Sequence, residues 1–260
     1  MEATRAVQDY LKAIYALQTR GEAVVNARLA ERLGISPPSV SAMMRRLETG
    51  ALVRRLPSGA LVLTELGEAQ ALRTVRRHRL IETFLYRCLA VPWDEVHDEA
   101  EVLEHAVSAR LEDRIAATLG HPSHDPHGDP IPPRDGVHEE GWPGPLGSMP
   151  EGAWVVVERV SDRNADVLRH LADLGIVPGT VLEVEQRVPF GGPLWVRVAD
   201  ARHALGDVLV GSIFGSVQVE GLESPRIEDA IAEVEDRRAS EADSAAARRV
   251  GSRPLAGVRP

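Results

Sequence analysis

The sequence holds one cysteine, few aromatic residues (4%) and no apolar run approaching the ~18 residues of a membrane span. Each shortage excludes something. A single cysteine rules out an internal disulfide and any CxxC metal knuckle. Cys88, set among Phe84, Leu85 and Leu89, is expected to be a small buried hydrophobe. No basic leader precedes an apolar core in MEATRAVQDYLKAIYAL, so no signal peptide is expected, and a cytoplasmic protein without membrane contact fits. Between residues 93 and 109 there is no Lys or Arg at all.

Charge is unevenly spread. Residues 1–79 hold 13 Lys and Arg against 7 Asp and Glu, a balance of +6, whereas the remainder holds 17 against 32, or −15. A basic front on an acidic chain is the footprint of nucleic acid bound at one end. The front end also carries helix-turn-helix grammar in AVVNARLAERLGISPPSVSAMMRRLETGALVRR. A helix near 26–33 stops at Gly34, and a second starts at Ser36, a good N-cap followed by proline at the first helical position. Ser36 to Arg46 is the expected recognition helix. LVRRLPSGALVLT then reads as a two-stranded wing around Pro57-Ser58-Gly59. Arg28, Arg45, Arg46, Arg54 and Arg55 are expected along the phosphates of double-stranded DNA, with Ser36, Pro38, Ser39 and Ala42 near base edges. The competing reading is a winged helix used for protein contacts.

The acid-rich stretch is HDEAEVLEH at 97–105, where six of nine residues can carry charge. Read as a helix running from Pro92 to Gly120, it places His97, Glu101, Glu104 and His105 within an arc of about 100° beside an apolar stripe. A solvated face would interleave Lys or Arg at i,i+4, and here none does. The bland alternative is an acidic surface. Upstream, a helix over about 67–90 carries His78 and Glu82 one turn apart. Residues 121–151, dense in Pro and Gly, read as a linker, although His121, His124, Asp125 and His127 there have metal-like spacing. From Gly152 the pattern turns to short alternating strands, a small barrel to about 222. The tail over 223–260 has too little apolar mass to fold and is expected to be disordered.

In this order, the pieces resemble the diphtheria-toxin-repressor family of metal-dependent transcription regulators, over about residues 1–222. DYLKAIYAL at 9–17, ISPPSVS at 35–41, RHRLIETFL at 77–85, VHDEAEVLEH at 96–105 and DPHGDPIP at 125–132 carry the resemblance. It implies an α+β multidomain chain: a winged helix-turn-helix (1–75), a helical metal-binding and dimerisation domain (76–120), and an SH3-like, FeoA-type barrel (152–222). It implies a homodimer on a palindromic operator, commonly repressing metal uptake. It also implies a primary metal site of Asp9, Glu101, Glu104 and His105, and an ancillary site of His78, Glu82 and His97 with an oxygen ligand from the barrel. Asp166 is the first choice for that ligand and Asp162 the second. The iron branch of the family typically has methionine at the position of Asp9 and cysteine at that of Glu101. Three carboxylates and one imidazole suit Mn²⁺ instead, with Fe²⁺ the alternative and Zn²⁺ or Co²⁺ able to bind in vitro. Binuclear manganese regulators carry a carboxylate where this chain has Lys12, so two separated sites are expected. A metallohydrolase would need a general base beside an open coordination position. No such motif is present, and the chain reads as a regulator and not an enzyme. The remaining alternative is a winged-helix regulator whose metal sites are only structural.

Overall fold

The computed structural model describes residues 4–134 and 143–218. The tail expected to be disordered lies outside them. The order is α1 (Arg5–Gln18), α2 (Asn26–Leu33), α3 (Pro37–Thr49), β1 (Val53–Arg55), β2 (Leu61–Leu63), α4 (Glu65–Leu89), α5 (Val96–Leu103) and α6 (Ala109–Thr118). Then come β3 (Gly144–Pro145), a 3₁₀ turn at Leu146–Ser148, β4 (Trp154–Val160), α7 (Ala165–Asp173), β5 (Val181–Arg187), β6 (Leu194–Val198), β7 (Ala201–Leu205), α8 (Asp207–Val210) and β8 (Ile213–Val217).

The winged helix forms as its capping residues dictate. Gly34 takes the left-handed conformation that ends α2, and Ser36 starts α3 by accepting the Ser39 N–H. β1 and β2 pair antiparallel with Val53 opposite Leu63 and Arg55 opposite Leu61. Leu11, Ile14, Leu29, Val40, Met44, Leu47 and Leu61 fill one core, each at most 1% exposed. Burying one such side chain stabilises by roughly 1.5–3 kcal/mol.

Helix α4 does not respect a boundary at residue 75. Its first half packs Ala71, Leu72 and Val75 into the winged-helix core, and its second half packs Leu80, Ile81 and Leu85 against α5, α6 and Ile131. At 25 residues it is a strut of roughly 37 Å joining the reading head to the helical domain. It begins at Thr64, whose hydroxyl accepts the Gly67 N–H, and Gly67 lets the helix start pass within reach of the Leu52 carbonyl, where a Cβ would clash at 1.9 Å.

Three expectations fail here for local reasons. The acid-rich segment is not one helix to Gly120. α5 ends at Leu103, residues 104–106 turn, and Ser108 starts α6 by accepting the Leu111 N–H. A serine N-cap inside an apolar-periodic stretch can restart a helix in a new direction. Nor do residues 121–134 behave as a linker. Asp125, His127, Asp129 and Ile131 are all buried. The segment is cinched by the Asp125 carboxylate, which accepts the His127 and Asp129 N–H groups. Gly128, at φ +87°, lies against the Glu158 carbonyl of β4, where a Cβ would fall 1.9 Å away. Cys88, too, is exposed and not buried, because the last turn of α4 runs out into solvent.

The six-stranded sheet is antiparallel in the order β3-β8-β4-β5-β6-β7. Val155, Val157, Leu182, Val184, Val196 and Ile213 point inward to pack on Leu168 and Leu171 of α7. Asp162 lies in the short turn between β4 and α7.

Candidate metal centre

Helix α1 sinks Val7, Tyr10, Leu11 and Ile14 into the core, which turns Asp9 and Lys12 towards α4 and α5. There Asp9, Glu104 and His105 come together, with one ligand-type atom from each lying within 4.8 Å of the others. The turn after α5 makes this possible, since it redirects His105 towards α1. His105 Nδ1 donates to Gln8 Oε1 at 2.7 Å, the tautomer that frees Nε2 to act as a metal ligand. Nε2 sits 3.0 Å from Asp9 Oδ1 and 3.5 Å from Glu104 Oε1. All three atoms are buried without a hydrogen-bond partner. Burial raises the Asp9 carboxyl above its ordinary value, and Glu104 and Glu101 add to the rise against the opposing pull of His105. Three lone pairs from two domains converge on one point, a donor set that fits a hard divalent cation.

Glu101, the fourth expected member, points elsewhere. Its Oε1 lies 2.7 Å from Lys12 Nζ, and it falls in a neighbouring group with His78 and Glu104.

The ancillary residues also converge. His78 Nε2 is 2.8 Å from Glu82 Oε1, and His97 Nδ1 is 3.1 Å from the same oxygen and 3.0 Å from Asp162 Oδ2. The barrel residue that lies in this group is Asp162 and not Asp166. Asp166 lies in the first turn of α7, is 86% exposed at its side chain and pairs with Arg169. Burial disfavours the charged form of His97, but hydrogen bonds to Asp162 and Glu82 outweigh it and hold the imidazole up to about 11. Burial would raise Glu82, yet the charge and hydrogen bond of His78 hold it well below the carboxylate range.

A further group was only half legible. Of His121, His124, Asp125 and His127, the first two are exposed. Asp125 and His127 turn inward and meet Glu82. His127 Nε2 donates to the Trp93 carbonyl at 2.7 Å, so Nδ1 is a lone pair, buried and unpartnered. Glu82 Oε2 is likewise buried and unpartnered. The DPHGDP spacing hinted at this, but nothing in it showed that Glu82 would present its two oxygens to two groups.

Three domain models match the chain: the iron dependent repressor N-terminal DNA binding domain at residues 2–61, the iron dependent repressor metal binding and dimerisation domain at 64–133, and the FeoA domain at 144–217. The iron-dependent repressor IdeR of Mycobacterium tuberculosis is 36% identical over 206 residues, 74% of this chain and 88% of the relative. The chain belongs to the iron-dependent repressor family. The diphtheria toxin repressor of Corynebacterium diphtheriae is 33% identical over 188 residues, covering 68% and 83% of the two chains. A solved structure described as a manganese-dependent transcriptional repressor in complex with manganese aligns with a TM-score of 0.78 at 42% identity, over 82% of this chain and all of that one. This is a family of metal-dependent, DNA-binding repressors, with a DNA-binding domain, a dimerisation domain and the SH3-like FeoA domain in the order found here.

For a member of that family the reading head is well presented. Arg28, Ser36, Pro38, Ser39, Ala42, Arg45, Arg46, Arg54 and Arg55 are all exposed. Two of the arginines are engaged at home: Arg28 pairs with Glu22 at 2.7 Å, and Arg55 with Glu48 at 3.1 Å. Arg45, Arg46 and Arg54 have no carboxylate partner among the described residues. The helical domain leaves Tyr86, Leu89, Val102, Leu103 and Leu111 exposed. Ile115 is buried against Leu80 within the protomer. No helix among the described residues is long and apolar enough to cross a membrane.

Proposed function

We propose that this chain is a cytoplasmic, Mn²⁺-activated transcriptional repressor of metal-ion homeostasis that binds a palindromic operator as a homodimer. The observation that carries the reading is the set of buried, partnerless atoms Asp9 Oδ1, Glu104 Oε1 and His105 Nε2, drawn from α1 and from the turn after α5. Glu101 completes the set by turning from Lys12. A divalent cation bound there supplies the positive charge that lets these ligands stay close and ionised. Asp9 then ties α1, and with it the recognition helix α3, to the helical domain. In a dimer built on Leu89, Val102 and Leu111, that tie fixes the distance between two recognition helices at one helical turn of DNA. The ligands bind better in the DNA-competent arrangement than in a looser one. Moving such an equilibrium from 1:99 to 99:1 takes about 5.5 kcal/mol of differential binding.

The choice of Mn²⁺ rests on donor chemistry. Asp9 and Glu101 offer hard oxygen, and no cysteine falls in any ligand group among the described residues. Fe²⁺ is the alternative activator, and Zn²⁺ or Co²⁺ is expected to bind in vitro as tightly. A second cation is assigned to the region around Glu82. His78, Glu82, His97 and Asp162 are one candidate set. The partnerless Glu82 Oε2 and His127 Nδ1 favour the other face, Glu82 with Asp125 and His127, because the first set already satisfies itself by internal ion pairs. Because its family is one of DNA-binding repressors, the chain is read as a regulator and not an enzyme. Titrating binding to the protein's own promoter with Mn²⁺, Fe²⁺ and chelator tests the reading. Mn²⁺-dependent binding reversed by chelator supports it, and metal-independent binding overturns it in favour of purely structural metal sites.

A further inference from the structure

The barrel grips the loop between α4 and α5. Ala90 ends α4 in the left-handed conformation. The Pro92 carbonyl then accepts the Glu95 and Val96 N–H groups, at 2.9 and 3.1 Å, in one turn that runs into α5. Trp93, within that turn, packs against the hydrophobic core of the barrel. Its carbonyl accepts from His127 Nε2 at 2.7 Å, and its ring lies 5.7 Å from the His127 ring. The His127 carbonyl in turn accepts the Val160 N–H of β4 at 2.9 Å. Beside Trp93, Asp94 Oδ2 meets Arg169 Nη1 of α7 at 2.8 Å.

Helix α5 has little else to fix it. It is eight residues long, too short to be stable by itself. Its N-cap, Glu95, makes no side-chain capping bond, and only Val96 and Ala100 are buried, against Ile81 and Leu85 of α4. Yet the turn that follows α5 carries Glu104 and His105, which meet Asp9 in a group that contains no barrel residue. We infer that Trp93 is a positioning residue for this group: its indole is the peg by which the barrel sets the place of α5, and through α5 the place of Glu104 and His105. The barrel then acts on the primary site by packing and not by supplying a ligand. The peg outweighs the Asp94–Arg169 pair, because Arg169 is half-exposed and water screens its charge.

This inference rests on the primary site proposed above, and the two fail separately. Backbone hydrogen exchange of the full chain, metal-free and across a Mn²⁺ titration, tests it. The hydrogen-bonded amides of Glu104, Ala106 and Val107 report the ligand-bearing turn by itself, apart from the His127 group. In metal-free Trp93→Ala, the amides of α5 and of this turn should exchange at least about tenfold faster than in wild type, while those of Leu29 and Leu47 in the winged-helix core keep their protection. The Mn²⁺ concentration that half-protects the turn should rise about tenfold. Trp93→Phe, which keeps a ring in the seam, should recover most of both effects, and Trp93→Leu serves if Trp93→Ala fails to fold. A folded Trp93→Ala or Trp93→Leu variant with the wild-type Mn²⁺ requirement overturns the inference, whether its amides exchange as in wild type or faster across the whole chain, and leaves the primary site standing. A wild type in which Mn²⁺ gives this turn no protection overturns the primary site instead.

Discussion

Asp129 and Glu104 are both buried carboxylates, 5% and 1% exposed, and both join elements distant in sequence. Asp129 Oδ1 accepts from Arg79 of α4 at 3.2 Å and from Arg159 of β4 at 2.8 Å. Arg159 also stacks over the Phe214 ring at 4.6 Å. That cluster brings its own cations on rigid guanidinium groups, and it fastens the barrel to the 121–134 segment and α4. Around Glu104 the acids outnumber the cations. Glu104 Oε2 has Lys12 and His78, but Oε1 faces Asp9 and His105 with nothing between them. A structural charge cluster satisfies itself, whereas a ligand site leaves lone pairs pointed at each other.

The sharpest way to break this contrast is Asp129→Ala. It strips the shared acceptor from two largely buried guanidinium groups and should cost about 3–5 kcal/mol in denaturant unfolding, equally with Mn²⁺ or chelator present. A loss seen only with metal would place Asp129 in the metal centre and erase the distinction. The mirror experiment is Asp9→Ala. Its metal-free stability should change by less than about 1 kcal/mol, since Asp9 Oδ1 makes no hydrogen bond that its loss would break. Wild type should gain about 2.7 kcal/mol at free Mn²⁺ of about 100 times Kd, and the variant should lose most of that gain.

A subtler contrast lies in protons. With His97 held up to about 11, a cation that takes this imidazole as a ligand must displace a proton at neutral pH. Acid therefore competes with the ion. Affinity should rise with pH by about tenfold per unit for each proton displaced, and binding enthalpy should vary with the buffer used. Buffer-independent enthalpy would show that His97 stays protonated and is not a ligand of the bound ion. The smallest effect is expected at the DNA face. Arg45→Ala or Arg54→Ala should weaken binding uniformly across sequences and reduce the salt slope by about 0.9 for each phosphate left without its arginine. Altered base preference would mean the side chain reads an edge and not a phosphate.

How far the sequence foretells this comparison differs by kind of interaction. The winged helix was legible because its signals are local: a Gly34 stop, a Ser36 cap, a Pro57-Ser58-Gly59 turn. Asp9, Glu104 and His105 converge as expected, yet the helix assumed to carry Glu104 and His105 ends at Leu103, and the turn that follows is what directs His105 inward. Asp162 displaced Asp166 because only the turn after β4 approaches His97, a fact of tertiary packing invisible in SDRNAD. The 121–134 segment was misjudged by composition, since Pro and Gly there build a buried turn around Asp125 and not a spacer. Lys12 could be read as an obstacle to a second metal. Its pairing with Glu101 and Glu104, at 2.7 and 2.8 Å, is a matter of tertiary packing that DYLKAIYAL does not show.

The account stands on the lone pairs of Asp9, Glu104 and His105 being a cation site that controls DNA binding. Its most direct test is the affinity of Asp9→Ala for operator DNA, followed by fluorescence anisotropy across a Mn²⁺ titration beside wild type. Wild type should bind only as Mn²⁺ rises, and the variant, folded and dimeric, should remain at non-specific affinity throughout. Wild-type activation in the variant would contradict the account at its centre.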